Sequence, residues 1–399
     1  MSLTLPQGFP RALLEQSIDE RRHYFETKVV AHQRLKEVYE TLLHGIHYPA
    51  GASLILVVGP TGVGKTTLLQ RAVKQLIEEA VGDPRTTPGH LPVIAMEAAS
   101  PDSGNFSWKD YFTRALLALD EPMLADKITY DIHGMHRDEQ GHLIIERTLT
   151  VPDLRRVLEK CLSHRHPRAF IIDEAQHFKK MASGRRLLDQ MDTLKSLANM
   201  TSVLHVLIGT YDLLGLMNLS AQLARRSIEI HFPRYHAGQP QDYLEFKKLL
   251  RTLQRHLPLP EEPDLQGHCD YFYEACLGCT GMLKSLLNKA LAGALERQER
   301  TLTPKRWQQY AEPPQKRKDM LREIREGESA FEQRHDQAHL RELRTMLGLG
   351  EVAPKGEPPK EDAARTTTPP SPLLKGKKRR VGQRRAKRDP VGKEGHHAG

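Results

Sequence analysis

The stretch LVVGPTGVGKTTLLQ, residues 56–70, decides the fold. It joins an apolar run to a helical pattern through a glycine-rich loop. The loop consists of Gly59, Pro60, Thr61, Gly62, Val63, Gly64, Lys65, Thr66 and Thr67. Glycines let backbone N–H groups converge on phosphate oxygens at the positive end of the following helix. The loop therefore predicts a site for a nucleoside triphosphate, with Lys65 on the β and γ phosphates and the Thr66 hydroxyl on Mg²⁺.

A second part of the predicted site is the stretch AFIIDEAQ, residues 169–176. Its apolar residues indicate a buried strand, and an acidic pair follows directly. We expect Asp173 to hold the magnesium shell, and Glu174 to orient or deprotonate a water molecule. Alternatively, the acidic pair has no function and only ends the strand. We favour a function, because the chain also contains the phosphate loop.

Five short apolar runs predict the strands of a sheet. They are SLILVV (53–58), LPVIAMEA (91–98), RAFIID (168–173), SVLHVLIG (202–209) and RSIEIHF (226–232). Helical patterns separate them, so we expect an α/β fold with a parallel sheet flanked by helices, typical of P-loop NTPases. Alternating residues at 127–150 predict an inserted β-hairpin.

The domain boundaries follow from these patterns. We expect an N-terminal extension at 1–33, the α/β nucleotide-binding domain at 34–235 and a small helical lid at 236–300. Charged residues over 313–347 predict an exposed helix pair within an extension at 301–350. Residues 351–399 are rich in Pro and Gly and read as a disordered basic tail.

Charge is distributed unevenly along the chain. The formal net charge is +9, and the tail carries +7 of it, from thirteen Lys and Arg against six Asp and Glu. Its densest run, 375–388, is either a solvated charge run or a handle for an acidic partner. The chain has no apolar run long enough for a spanning helix and no secretory pattern, so we expect a cytoplasmic protein without membrane contact.

The cysteines allow two interpretations. Cys276 and Cys279 form a CxxC pair with Cys269 and His268 upstream, which is compatible with zinc. The pair also lies in an apolar helical pattern, where small thiols pack well. We favour packed thiols.

Three polar residues elsewhere are candidates for hydrolysis. Thr210 follows the strand ending VLIG, so its hydroxyl is expected at the carboxyl edge of the sheet beside Glu174, unless it only caps a helix. Arg225 and Arg226 lie at a helix-to-strand junction, far from their own P-loop in sequence. One of them could complete a neighbouring subunit's site as an arginine finger; a solvated basic pair is the alternative.

These motifs together resemble an AAA+ ATPase. The stretches PDSGNFSWKDYFTRALLALDEP, TLKSLANMTSVLHVLIGTYDLL and NLSAQLARRSIEIHFPRY are similar to the TniB/TnsC family of transposition regulators. The resemblance covers about residues 20–300. It implies an ATP- and Mg²⁺-dependent ATPase that forms rings or filaments on double-stranded DNA, receives a target-site signal from a TniQ/TnsD-type protein and recruits a transposase.

The resemblance also assigns residues. Thr210 would be sensor one, and Lys284 stands where the family has the sensor-two arginine. Lysine keeps the charge but lacks the planar fork of arginine. The tail would be either a DNA tether or a hook for the transposase.

DNA contact is expected through phosphates and not through base edges. Lys109 and Arg114, in NFSWKDYFTR, are the candidates, and Trp108 is expected to pack. Either cation could instead be an ordinary solvated residue.

Alternative functions are a helicase loader, an origin-type initiator, a secretion ATPase, or a binding protein with an inactive nucleotide site.

Overall fold

The computed structural model describes residues 8–83, 89–100, 106–119, 135–137, 143–145, 149–180, 185–217, 225–334 and 336–349. The chain divides into two units, Met1–Leu340 and Arg341–Gly399. The described part of the second unit is residues 341–349, and the predicted tail at 351–399 lies outside the described residues.

A five-stranded parallel sheet forms the centre of the first unit. The strands, in chain order, are β1 (Leu54–Val58), β2 (Val93–Glu97), β3 (Met135–Arg137), β4 (Leu143–Ile145), β5 (Ala169–Asp173), β6 (Leu204–Gly209) and β7 (Ser227–His231). The large sheet has the order β2-β5-β6-β1-β7, and all its pairings are parallel. The five strands predicted from the apolar runs are confirmed.

Helices connect and flank the strands. The α-helices, in chain order, are α1 (Ile18–Thr27), α2 (Gln33–His47), α3 (Lys65–Val81), α4 (Trp108–Leu119), α5 (Val151–Arg165), α6 (Arg185–Thr201), α7 (Leu214–Met217), α8 (Pro240–Arg255), α9 (Cys269–Cys276), α10 (Thr280–Glu296), α11 (Pro304–Gln309), α12 (Pro314–Arg334) and α13 (Gln337–Met346).

Strand β1 is buried on both faces, which explains its continuous apolar sequence. Leu54, Leu56 and Val58 join the core beneath α4 and α5. Ile55 and Val57 point to the other face, where α2 and α3 pack. This two-sided burial holds the carboxyl end of β1, and therefore the P-loop, in a fixed position.

The predicted hairpin is present as an antiparallel pair. Strands β3 and β4 align Met135 with Ile145 and Arg137 with Leu143. The turn between them, residues 138–142, lies outside the described residues. The pairing confirms the alternating pattern as a hairpin.

The lid has a core of its own, built from α8, α9, α10 and α11. Cys276 and Cys279 are buried, and burial raises the pKa of Cys279 to about 12. Both thiols are packing residues here, as the apolar pattern indicates. Helix α1 also packs on the lid, because Phe25 is fully buried in the lid core and Arg21 donates to the carbonyl of Pro258.

The predicted helix pair at 313–347 is present as α12 and α13, and most residues of α12 are exposed. One face of α12 is not exposed: Ile324 is buried against Leu277 and Cys279, and the Phe331 ring stacks on His231 at 4.3 Å between centroids. The sequence of α12 is mostly charged, and one of its charged residues, Glu328, is itself buried on the docking face. The face was therefore difficult to predict from sequence.

Candidate nucleotide site

The P-loop connects β1 to α3 with two backbone positions that require glycine. A Cβ at Gly59 would lie 2.3 Å from the carbonyl oxygen of Phe232. Gly64 has a φ of +113°, in the left-handed region that favours glycine. The loop can therefore pass close to β7 and turn directly into the helix.

Lys65 is buried at the start of α3. Its Nζ donates to the carbonyl oxygens of Gly59 at 3.1 Å and Pro60 at 2.9 Å. Burial lowers the pKa of Lys65, while Glu174 and Asp173 act in the opposite direction. The ammonium thus lies inside the loop, where a bound phosphate could replace the two carbonyls.

Thr66 and Asp173 meet at the carboxyl edge of the sheet. The Thr66 hydroxyl donates to Asp173 Oδ2 at 3.0 Å. Burial raises the pKa of Asp173, and its hydrogen bonds with Glu174 and Thr66 lower it. A hydroxyl and a carboxylate oxygen are ligands that suit Mg²⁺, which usually binds through one or two protein groups and substrate phosphates. These two residues fit a magnesium ion.

Glu174 has an unusual backbone conformation, and its carboxylate is bonded by Gln176, a residue without an expected role. Glu174 has a φ of +51°, which few non-glycine residues adopt. The Gln176 amide donates to the Glu174 carboxylate, and Gln176 Oε1 accepts the backbone N–H of Thr210 at 3.1 Å. A Cβ at Gly209 would lie 2.3 Å from Gln176 Oε1, so Gly209 makes room for the bridge.

Thr210 lies at the carboxyl edge of the sheet, as expected. It is connected to Glu174 indirectly, because Gln176 forms hydrogen bonds with both residues. Its hydroxyl is 3.4 Å from Asp212 Oδ2. Thr210 precedes a short 3-10 helix, Tyr211–Leu213, without a capping hydrogen bond from its side chain. Thr210 thus occupies the N-cap position, and its side chain does not make the capping hydrogen bond. The role of Gln176 could have been suspected from its position in DEAQ, because it follows Asp173 by three residues.

The lid closes directly onto the P-loop, a contact that the sequence did not indicate. The Thr280 hydroxyl donates to the carbonyl of Val63 at 2.7 Å, and the Gly281 N–H donates to Gly62 at 2.7 Å. The first turn of α10 therefore contacts the loop that would hold phosphate.

Lys284 faces the N-terminal extension. Its ammonium donates to the carbonyl of Phe25 and lies 3.5 Å from the centroid of the Phe25 ring. Burial lowers the pKa of Lys284 to about 7. Lys284 lines one cavity with Gly64 and Thr67, but its charged end bonds to Phe25, so a phosphate contact requires a different side-chain position.

A second cavity, of about 390 Å³, opens on the opposite side of the P-loop. Pro60, Thr61 and Thr210 line it together with α12. Gly327 of α12 packs on the ring of Tyr211. Helix α12 thus forms one rim of the site beside Thr210.

Arg225 and Arg226 are exposed at the amino end of β7. Arg226 Nη1 donates to Asn199 at 3.0 Å, and the backbone of Arg226 pairs with Ser53. The five residues of β1 separate this edge from the P-loop, roughly 16 Å at about 3.3 Å per residue. Both arginines lie too far away to reach the P-loop of their own chain.

Lys109 and Arg114 are exposed on α4. Arg114 forms an ion pair with Asp110 at 2.8 Å, and Trp108 packs against Phe112 as expected. The nucleotide-site residues converge at one edge of the sheet, whereas Lys109 and Arg114 are on a separate surface helix. Among the described residues, no helix is both long and apolar enough to cross a membrane.

Comparisons with known proteins agree with this geometry. The family model of the AAA domain matches residues 47–217. The comparison with curated proteins found no match.

The comparison with solved structures found the following similarities, among others. The chain is similar to the Aeropyrum pernix ORC2 protein in its ADP form, with 14% identity, a TM-score of 0.49, and coverage of 72% of this chain and 71% of that chain. Drosophila ORC bound to DNA has 14% identity, a TM-score of 0.45 and coverage of 78% and 68%. Domain III of the Thermotoga maritima initiation protein DnaA has 16% identity, a TM-score of 0.39 and coverage of 73% and 98%.

The family match covers the P-loop, the Asp173–Glu174 pair and Thr210. The strand order and the closed lid place these residues around one site. The chain thus has a P-loop NTPase fold, and residues 47–217 match the AAA domain.

Proposed function

We propose that the protein hydrolyses ATP and uses the nucleotide to switch an assembly on double-stranded DNA. The cluster of Thr66, Asp173, Glu174 and Gln176 carries the first part of this proposal. It brings a hydroxyl and a carboxylate suited to Mg²⁺ next to a second carboxylate that can orient water.

Each residue of the site has a defined task in hydrolysis. Lys65 exchanges the carbonyls of Gly59 and Pro60 for phosphate oxygens, which costs little because the ammonium is already oriented. Thr66 and Asp173 would hold Mg²⁺, and the ion would offset charge on the phosphates. Glu174 accepts a proton from, or orients, the attacking water, and Gln176 holds its carboxylate in place.

Assembly is proposed from the position of the two arginines at the start of β7. Neither Arg225 nor Arg226 can reach its own P-loop, so either one could act as an arginine finger only on a nucleotide that is bound by a second copy. Such a copy would sit next to Thr210, where the cavity beside α12 is open. A homo-oligomer, as a ring or a filament, satisfies this geometry.

The finer role, in DNA transposition, rests on the resemblance to the TniB/TnsC family. On that basis the oligomer would receive a signal from a TniQ/TnsD-type protein and recruit a transposase. Lys109 and Arg114 would contact DNA phosphates, and the 375–388 run would serve as a DNA tether or a transposase hook.

Two variants test the order of events. Lys65→Ala should abolish ATP binding, assembly and DNA binding. Glu174→Gln should bind ATP and form longer-lived assemblies, because hydrolysis is what dismantles them. Negative-stain images with duplex DNA, together with ATPase rates, measure both results. Loss of assembly in Glu174→Gln despite retained ATP binding would contradict the switch.

A truncation tests the transposition role separately. A chain ending at Leu349 should keep its ATPase activity and its assemblies. If the tail is a hook, transposase pull-down is lost and DNA affinity is unchanged; if it is a tether, only DNA affinity at low salt falls. Failure of the full chain to bind any transposase would favour the initiator or helicase-loader alternative.

A further inference from the structure

Helix α13 exposes one apolar face. Leu340, Leu343, Met346 and Leu347 are between 50% and 79% exposed. Their spacing of three and four residues places them on one side of the helix. A helix of ten residues is marginal in water, and packing of its apolar face usually supplies the missing stability. This face, the apolar stripe of α13, therefore indicates a surface for a partner.

Two arginines border the apolar stripe. Arg344 follows Leu340 by four residues and precedes Leu347 by three, so it lies beside both on the helix surface. Arg341 lies one turn before Arg344 on the same side. A partner surface that fits this helix is an apolar groove with acidic residues along one edge.

The cavity of about 390 Å³ beside α12 is such a groove. Leu214 of α7, and Met320 and Ala330 of α12, contribute to its apolar part. Its volume is within the usual range of binding pockets. Met320 and Ala330 are about 15 Å apart along the axis of α12, at 1.5 Å per residue. The stripe from Leu340 to Leu347 needs about 10 Å, so the groove is long enough to hold it.

Acidic side chains line the edge of the groove. Asp212, Glu323 and Glu326 are exposed and border it. Arg334 also borders the groove, but it forms an ion pair with Glu229 at 2.7 Å, which offsets its charge. The edge is therefore negative, which complements the two arginines of α13.

The groove also reaches the nucleotide site. Pro60 and Thr61 of the P-loop, together with Thr210, border it on that side. The second copy in the proposed assembly sits at this place, next to Thr210. A contact through the groove and a contact at the nucleotide would therefore belong to one interface, and this continuity favours a second copy as the partner.

We propose that the apolar stripe of α13 docks into the groove beside α12 of a second copy of this chain. Anchors at i, i+3 and i+7 are typical of a helix that lies in a groove. Because the helix and the groove consist of different residues, each copy offers its helix to one neighbour and its groove to another, and such contacts build rings or filaments. The inference rests on the proposed assembly and adds the segments that join its copies.

Charge reversal on the two surfaces tests the contact. One variant of the full chain carries Arg341→Glu and Arg344→Glu, and the other carries Glu323→Lys and Glu326→Lys. Each alone brings like charges together, so the protein concentration for half-assembly with ATP and duplex DNA should rise by roughly tenfold or more. An equal mixture should return to within about threefold of the wild type, because each helix can meet a groove of opposite charge on the other variant. Sedimentation velocity measures the assembly.

Two leucine changes test the apolar part of the contact. Leu343→Ser combined with Leu347→Ser should raise the concentration for half-assembly by roughly 100-fold, since both side chains lose their burial in the groove. Leu244→Ser, at an exposed position on α8, is the matched control and should leave this concentration unchanged. The Kd for ATP, measured on every variant, should stay at the wild-type value, which shows that the ATPase unit is folded.

The outcomes distinguish this inference from the proposed function. A mixture of the charge variants that stays unassembled overturns the contact; if a chain with all four charge changes then assembles, the helix lies in the groove of its own chain. A leucine variant that assembles like the wild type also overturns the contact and assigns the stripe to a different partner. A wild type that does not assemble at any concentration overturns the proposed assembly as well. Normal assembly of the wild type therefore identifies a failure of this inference alone.

Discussion

Arg234 and Glu328 form a buried, bidentate ion pair that joins the start of the lid to α12. Arg234 Nε lies 2.8 Å from Glu328 Oε1, and Nη2 lies 3.1 Å from Oε2. Arg234 also donates to the carbonyl of Leu277, so it links the segment after β7, the lid and α12. These contacts fix α12 to the lid and to the segment after β7, within the first unit.

Removing one member of this pair should destabilise the protein strongly. Glu328→Leu leaves the Arg234 guanidinium buried without its carboxylate, which costs about 3–5 kcal/mol in comparable buried pairs. Urea unfolding measures the loss. Arg322→Ala, which breaks an exposed pair with Asp319 on the same helix, should change stability by less than about 1 kcal/mol. Equal effects of the two changes would contradict a special role for Glu328.

Gln176 should matter for turnover and not for nucleotide affinity. Gln176→Leu removes both the donor to Glu174 and the acceptor for the Thr210 N–H. Loss of such an orienting contact typically lowers activity by roughly 10–100-fold. We expect kcat to fall while the Kd for ATP stays within about twofold, as measured by steady-state hydrolysis and equilibrium titration. A fall in affinity with unchanged kcat would assign Gln176 to binding.

The arginine finger can be tested by mixing inactive subunits. A chain with Arg225→Ala and Arg226→Ala keeps an intact P-loop, and a Lys65→Ala chain keeps intact arginines. Lys65→Ala subunits do not assemble with each other, but they can join an arginine-variant subunit that has bound ATP. The mixture should therefore recover part of the ATPase rate, because such an interface combines both intact halves. A chain carrying all three changes is the control and should restore nothing. Normal hydrolysis by the double arginine variant alone would rule out the in-trans role.

The salt dependence of DNA binding reports phosphate contacts. Log affinity should fall linearly with log salt concentration, with a slope near −0.9 for each phosphate neutralised. Lys109→Ala should make the slope less negative by about 0.9 and weaken all duplex sequences alike. Lys248→Ala, on the lid, should leave it unchanged. A loss confined to some sequences would indicate base contact instead.

Stability should rise with pH because of Lys284. Burial lowers its folded-state pKa to about 7, below the ordinary value of 10.5. Between these values the unfolded chain holds a proton that the folded chain lacks, so the unfolding free energy increases with pH. Lys284→Met should flatten this increase between pH 7 and about pH 10, measured by urea titrations. Lys289→Met, at an exposed position on the same helix, should not.

The local parts of the site could be predicted from sequence. The P-loop glycines, Lys65 and Thr66 lie in one short stretch, and their strand and helix have clear periodicities. Asp173 and Glu174 follow an equally clear buried strand. Because the carboxyl ends of parallel strands meet at one edge, the Thr66–Asp173 contact followed from the pattern.

Contacts between distant segments depended on the tertiary structure. The bridge from Gln176 to Thr210 spans 34 residues, the Arg234–Glu328 pair spans 94, and the Thr280 contact with the P-loop spans 217. The docking face of α12 combines a few apolar residues, Met320, Ile324 and Phe331, with the buried carboxylate of Glu328. The partner of that carboxylate, Arg234, cannot be identified from the sequence of the helix. By itself, the sequence determined the strand, loop and helix that bind phosphate, because local periodicity and motif chemistry encode them. The tertiary structure alone decided which residues of the lid and of α12 surround the phosphate-binding loop. These residues are far from the loop in sequence, and only the folding of the chain brings them next to it.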